Sequence, residues 1–293
     1  MNLKDLLDLT FADDYKLDAV NKTNRLYDLV ERGGRDLFVT IGDSWTYGAR
    51  LDEECPGTKK EKEQFRIETC YGYEVSSYLK NDFLNLAVPG INNLWMIDKY
   101  KALCKIADQI DYDKITIFIT LTEYGREMGT DFDHNPSLND SYRTAKCHKD
   151  LALSLNEYLA DTILLYSHPK IELRLGINYV TNLYPDRLHT YFVPRTWLEV
   201  LVDKKINDEC MVVGSWVIPK YKEMLGYNEG IDQTVALTEL DSMIASAEKR
   251  LDIIYNTGYN YKQGYGHPNS RGHKLWADYI IQNASIHQSQ TKE

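Results

Sequence analysis

Several features that would assign this chain to a protein class are scarce or missing. Only five of its 293 residues are cysteines, an odd number without a CxxC pair, which argues against a disulfide framework and predicts reduced thiols. No apolar run approaches the roughly 18 residues that a membrane span needs. The first residues also lack the basic and apolar blocks of a secretory signal. We therefore expect a cytoplasmic protein with no membrane partner.

Positive charge is in short supply as well. The chain has 34 Lys and Arg against 44 Asp and Glu, giving a net charge of −10. Proteins bind nucleic acids through clusters of Lys and Arg, so a nucleic-acid partner is not expected. There is no P-loop, no GxGxxG motif and no metal-ligand spacing, so the sequence predicts neither a cofactor nor a metal site. Nothing in the sequence sets the oligomeric state.

What the chain does contain is an alternation of strand-like and helix-like segments. Apolar, β-branched runs predict strands at 36–41, 82–88, 114–121 and 171–178. Helical spacing predicts helices at 12–33, 68–80, 91–109, about 143–166, about 234–256 and near the C-terminus. The strongly polar segment 51–66 is expected to be an exposed loop. This order indicates an α/β protein with a parallel sheet between helices.

Residues that could take part in a reaction follow three of the predicted strands directly. Ser44 comes after the first strand, Gly90 after the second, and Thr122 and Glu123 after the third. In parallel sheets ligands bind beyond the carboxyl ends of the strands. We therefore expect these segments to meet at one edge, although "GDS" at 42–44 is also ordinary turn chemistry.

A serine at such a position needs a base before it can act as a nucleophile, and histidine is the usual one. Seven histidines are present, and His267 in "GYGHPN" is the best candidate because it precedes a helix start in a loop. His273 lies six residues further on, inside the predicted helix. We expect His273 to pack or to cap a helix there.

Three short motifs together resemble the SGNH (GDSL-type) hydrolase superfamily. They are "GDSWTYG" at 42–48, "NLAVPG" at 85–90 and "HPNSRGHKLWADYI" at 267–280. The resemblance implies a flavodoxin-like, three-layer α/β/α fold with a parallel sheet. We expect an added N-terminal helical extension (1–35) before an SGNH-like hydrolase domain (36–285) that carries an insertion at about 179–245.

The resemblance also assigns roles. Ser44 would be the nucleophile and His267 the general base. The main-chain N–H groups of Ser44 and Gly90 would form the oxyanion hole, and Asp43 would bond across the turn. The family's oxyanion asparagine is replaced by Thr122, which we expect as a substitute donor. The family's acid three residues before the histidine is replaced by Gly264, so another group must orient the imidazole.

The expected activity is that of a serine esterase or deacylase that needs no cofactor or metal. Family analogy and the aromatic stretch 179–197 suggest an O-acetyl or other short acyl ester on a carbohydrate, although such a cluster of aromatic residues more often packs in the core and loops. The alternative is a degenerate SGNH-fold module that binds carbohydrate or builds a phage particle, which would place the protein in a virion.

Overall fold

A mainly parallel sheet lies at the centre of the molecule. The structure, a computed structural model, describes residues 3–11, 27–49, 51–122, 157–178, 186–201, 259–260, 267–268 and 270–284. Five strands form the sheet: β1 (Asp28–Val30), β2 (Asp36–Gly42), β3 (Asp82–Asn85), β4 (Lys114–Leu121) and β5 (Ile171–Ile177). Their order is β1-β3-β2-β4-β5, and only β1 is antiparallel to its neighbour. This arrangement confirms the α/β class.

The parallel strands have a flavodoxin-like order. Counted along the chain, the second parallel strand (β3) lies beside the first (β2), which is followed by the third (β4) and the fourth (β5). Strand order reverses between β2 and β4, and this topological switch point is where doubly wound sheets bind their ligands. The segments that follow β2 and β4 therefore lie where a ligand-binding site is most expected.

Helices cover both faces of the sheet. Seven helices begin and end within the described residues: α1 (Leu3–Thr10), α2 (Ser44–Tyr47), α3 (Lys59–Thr69), α4 (Tyr71–Leu79), α5 (Asn93–Ile106), α6 (Trp197–Leu201) and α7 (Ser270–Asn283). Residues 157–165 are also helical. Short 3-10 helices span Leu51–Glu54, Ala107–Gln109 and Asp186–Tyr191, and β6 (Tyr259–Asn260) pairs with β7 (His267–Pro268).

Alternating side chains of β2 show how the layers form. Leu37, Val39 and Ile41 pack into one apolar cluster with α1 and α5, whereas Phe38 packs into a second cluster with α4 and α7. Burial on both faces explains why these strands are continuous apolar runs. No helix in the described ranges combines the length and the apolar character that a bilayer crossing requires.

Two predictions from the sequence are wrong. The helix expected at 12–33 does not reach its predicted end, because Asp28–Val30 form an edge strand paired with β3. The loop expected at 51–66 contains the start of α3, which begins with a capping box between Thr58 and Glu61. The predicted helix at about 234–256, the segment 143–156 and most of the insertion lie outside the described residues.

The aromatic stretch at 179–197 contributes to the core where it is described. Trp197 is fully buried, and its ring stacks on Trp276 with centroids 5.6 Å apart. Tyr191 and Phe192 are half-buried against the other cluster. The structure therefore shows these residues packed against the core and not forming an open sugar-stacking surface.

Candidate functional site

Ser44 begins a very short helix at the carboxyl end of β2. Strand β2 ends at Gly42, Asp43 caps the helix, and Ser44 is its first residue with 8% of its surface exposed. Gly48 ends the helix in a left-handed conformation with φ of 79°. Its N–H donates to Trp45 O at 3.2 Å, and the N–H of Ala49 donates to Ser44 O at 2.9 Å. The turn therefore presents Ser44 at the switch point of the sheet.

Asp43 binds the ends of three strands together. Its Oδ1 accepts the N–H of Trp45 and the side-chain amide of Asn178, each at 3.0 Å. Its Oδ2 accepts the hydroxyl of Thr122 at 3.0 Å. Thr122 and Asn178 directly follow β4 and β5, and Asp43 itself is fully buried. A carboxylate held by these donors is a structural crosslink, which is the role expected for it.

Thr122 is held from two sides. Its hydroxyl proton goes to Asp43, and its main chain is clamped by the side chain of Asn93. The N–H of Thr122 donates to Asn93 Oδ1 at 2.9 Å, and Asn93 Nδ2 donates to Thr122 O at 3.0 Å. Since a hydroxyl has one proton to donate, Thr122 would have to leave Asp43 before it could serve an oxyanion.

Gly90 lies on the segment that follows β3. The N–H of Val88 donates to Gly42 O at 3.0 Å, so this segment runs alongside the end of β2. Gly90 is exposed with φ of 83°, and a Cβ atom there would meet nothing within 4 Å. The positive φ accounts for glycine at this position. Ser44, Thr122 and the Gly90 segment thus converge on one edge of the sheet, as the strand ends predicted.

The strand that carries His267 lies beside the Ser44 helix. Strand β7 (His267–Pro268) and α2 have Cα atoms within 8 Å of each other. The side chain of His267 lies outside the described residues, as do Gly264 and Glu123. One carboxylate reaches this segment from elsewhere, since Glu54 Oε1 accepts the N–H of Ser270 at 3.0 Å.

His273 is fully buried among aromatic side chains. Its ring lies edge-on to Trp197, with centroids 5.0 Å apart, and parallel to Tyr71 at 6.3 Å. Its Nδ1 accepts the N–H of Tyr71, the first residue of α4, at 3.1 Å. The first N–H groups of a helix have no partner within it, and Cys70 before α4 makes no side-chain cap bond. His273 supplies that cap from another helix.

Sequence reasoning missed two residues of this network, Asn93 and Asn178. Asn178 directly follows β5, so the reasoning that selected Thr122 after β4 could have found it. Asn93 opens α5, and its immediate neighbour Asn92 is the residue with the ordinary capping pattern. The described residues contain no group of three or more His, Cys, Asp or Glu placed to hold a metal ion.

Comparisons with known proteins give weak likenesses. No family model and no curated protein matches the chain. A solved catalytic mutant of Axe2, an acetylxylan esterase from Geobacillus stearothermophilus, is 14% identical with a TM-score of 0.35, over 90% of this chain and all of that one. LAE5, an alpha/beta hydrolase enzyme from the metagenome of Lake Arreo, is 14% identical with a TM-score of 0.31, over 86% and 95%. The α/β class rests on the sheet and helices themselves.

Proposed function

We propose that this protein is a serine esterase or deacylase that removes an O-acetyl or other short acyl group from a carbohydrate. The observation that carries the proposal is the meeting of α2 and β7 at the switch point of the sheet. It brings the segment of His267 to the segment of Ser44, although the two are far apart in sequence. A hydroxyl beside an imidazole is the pairing that nucleophilic acyl transfer uses.

In the first half of the reaction, Ser44 Oγ attacks the ester carbonyl carbon while His267 accepts the hydroxyl proton. The tetrahedral intermediate carries its negative charge on the former carbonyl oxygen, and the main-chain N–H groups of Ser44 and Gly90 stabilise it. The intermediate collapses to an acyl-enzyme, and the alcohol leaves with the proton from His267.

In the second half, water attacks the acyl-enzyme while His267 again accepts a proton. Collapse of this second intermediate releases the carboxylic acid and returns the proton to Ser44 Oγ. Asp43 takes no proton in this scheme. Its bonds to Thr122 and Asn178 hold the turn that presents the nucleophile.

The substrate class rests on the motifs "GDSWTYG", "NLAVPG" and "HPNSRGHKLWADYI". The SGNH hydrolases that they resemble act on esters, thioesters and O-acetyl groups of carbohydrates and lipids.

Tyr71, which lies near the site, does not offer a competing base. Burial raises the pKa of Tyr71 well above its usual range, and its hydroxyl bonds Thr120 Oγ1 at 2.7 Å. It therefore stays neutral at physiological pH.

Labelling with a fluorophosphonate probe tests the proposal, together with hydrolysis of p-nitrophenyl acetate. We expect the wild type to be labelled on Ser44, and Ser44→Ala to lose both labelling and hydrolysis while keeping its circular dichroism spectrum. Ser77→Ala is the matched control, because Ser77 is an exposed serine on α4. Full turnover in Ser44→Ala would refute the mechanism, and an unlabelled wild type would favour the noncatalytic module.

A further inference from the structure

Helix α2 depends on its surroundings for its shape. It has four residues, whereas isolated helices shorter than about 12 residues are marginal in water. Asp43 supports its first turn, as described above. At the other end Arg66, from α3, donates a hydrogen bond through Nη1 to Tyr47 O at 2.7 Å. Tyr47 is the last residue of α2, so the two ends of the helix are held by different parts of the fold.

Arg66 is itself rigidly placed. Only 2% of its side chain is exposed, and its Nη2 donates to Asp28 Oδ2 at 2.8 Å, where Asp28 is 4% exposed. Glu63 accepts from Nε at 3.2 Å and from Nη2 at 2.9 Å. The guanidinium carbon lies 3.9 Å from the centre of the Tyr47 ring. A buried arginine held at this many points behaves as a fixed part of the scaffold.

The charge of Arg66 suits this position. Burial acts to lower its pKa, but the carboxylates of Glu63 and Asp28 raise the pKa overall, so the group stays cationic. A cation near the last carbonyls of a helix is favourable. A lysine would keep the charge but not the planar fork that reaches Tyr47 O and both carboxylates together.

We propose that Arg66 is a positioning residue for the nucleophile: by holding Tyr47 O and the Tyr47 ring, it fixes the orientation of α2 and thereby of Ser44. The inference rests on the proposed function of Ser44. Displacement of a reacting group by about 1 Å can cost roughly 100-fold in rate. Loosening one end of a helix this short is expected to displace Ser44 without removing any group that touches the substrate.

The test compares Arg66→Lys with Arg174→Lys. Arg174 is a matched control because its Nε also donates to a carbonyl just after a helix, Ala284 O at 2.7 Å, and its Nη2 pairs with Glu172 at 2.8 Å. We expect Arg66→Lys to lower kcat for p-nitrophenyl acetate by about 10- to 100-fold with KM changed by less than about threefold. Arg174→Lys should change kcat by less than about twofold, with a smaller loss of thermal stability because its side chain is 23% exposed.

A second measurement does not depend on activity. Hydrogen exchange of the Gly48 and Ala49 amides, whose bonds close α2, should speed up in Arg66→Lys and not in Arg174→Lys. Faster exchange in a protein that never labels at Ser44 would support the role of Arg66 in holding α2 and would refute the proposed function. Unchanged exchange, or kcat within about twofold of the wild type, would overturn the positioning role.

Loss of folding in Arg66→Lys would not end the test. The double variant Asp28→Asn, Arg66→Gln removes both buried charges, which avoids leaving one of them unpaired. It is expected to fold and still to show kcat lowered by at least about tenfold together with faster exchange at Gly48. Wild-type kcat and exchange in the folded double variant would show that Arg66 only stabilises the fold.

Discussion

Replacing His273 with alanine is expected to weaken the fold and to leave the proposed reaction at Ser44 intact. The imidazole is fully buried, contacts Trp197 and Tyr71, and accepts the N–H of Tyr71 at 3.1 Å. Truncating a buried side chain of this size costs about 2–5 kcal/mol, and losing a helix cap costs about 1 kcal/mol. We therefore expect the free energy of unfolding to fall by about 3 kcal/mol or more.

Urea unfolding followed by tryptophan fluorescence measures this loss, since Trp197 and Trp276 lie in the same cluster. His273→Asn is the matched control. Its amide oxygen can replace Nδ1 as acceptor for Tyr71, so it should recover about 1 kcal/mol of the cap while the ring packing stays lost. In both variants the folded fraction should still react with a fluorophosphonate at Ser44.

The corresponding change at His267 should act in the opposite way. His267→Ala is expected to abolish labelling and hydrolysis with little loss of stability. If His267 is the base, kcat/KM of the wild type rises with pH around the ordinary histidine pKa of about 6.5, and this rise should disappear in His267→Ala. Two results would refute the reasoning. One is a His273→Ala protein as stable as the wild type. The other is a folded His273→Ala protein that does not label while His267→Ala labels normally.

Two smaller predictions concern thiols and glycines. Burial raises the pKa of Cys70 to about 12 and that of Cys104 to about 11. Iodoacetamide at pH 8 should therefore modify half-buried Cys55 at least about tenfold faster than Cys70 or Cys104, as measured by peptide mass spectrometry. Equal rates for the three thiols would contradict the burial. In Gly72→Ala the new Cβ would lie 2.6 Å from Thr40 Cγ2, so the variant should lose roughly 1–3 kcal/mol in urea unfolding, and a wild-type midpoint would show that the layers can separate there.

The sheet could be predicted because its strands are buried on both faces. The predicted strand at 114–121 coincides with β4, and 36–41 falls one residue short of β2. Strands buried on both faces are continuous apolar runs, and their short length and β-branched residues distinguish them from buried helices. The strand expected at 82–88 ends at Asn85 in the structure, because Leu86 and Val88 then bond the end of β2 outside a regular ladder.

The errors arise where burial leaves little trace in the sequence. Helix α3 has a polar composition, and among its buried residues is Arg66, which no hydrophobic pattern would mark as interior. Its one local signal is the capping box between Thr58 and Glu61. Strand β1 has only three residues, too few to show an alternating pattern, and its pairing with β3 is a long-range contact.

The position of the candidate site could be predicted from the sequence, but its hydrogen bonds could not. Strand ends meet at one edge in any parallel sheet, so the convergence of Ser44, Gly90 and Thr122 follows from the order of elements. The hydrogen bonds that Asp43 makes depend on side-chain directions that spacing alone does not specify. The same limit applies to Arg66, which reaches Tyr47 O from a helix that was not expected.

Thr122 shows what this network means for the chemistry. In the SGNH hydrolases that the motifs resemble, this position supplies a side-chain donor to the oxyanion. Here the Thr122 hydroxyl instead donates its hydrogen bond to one oxygen of the buried Asp43 carboxylate. Moving that proton to an oxyanion would remove a hydrogen bond from a fully buried carboxylate, which costs more than the roughly 1–3 kcal/mol of a neutral buried group. Losing one oxyanion donor costs about 2.7–4 kcal/mol in activation free energy. The two costs are close enough that the turn gains little by releasing Thr122, so in our proposal the main-chain N–H groups of Ser44 and Gly90 stabilise the oxyanion.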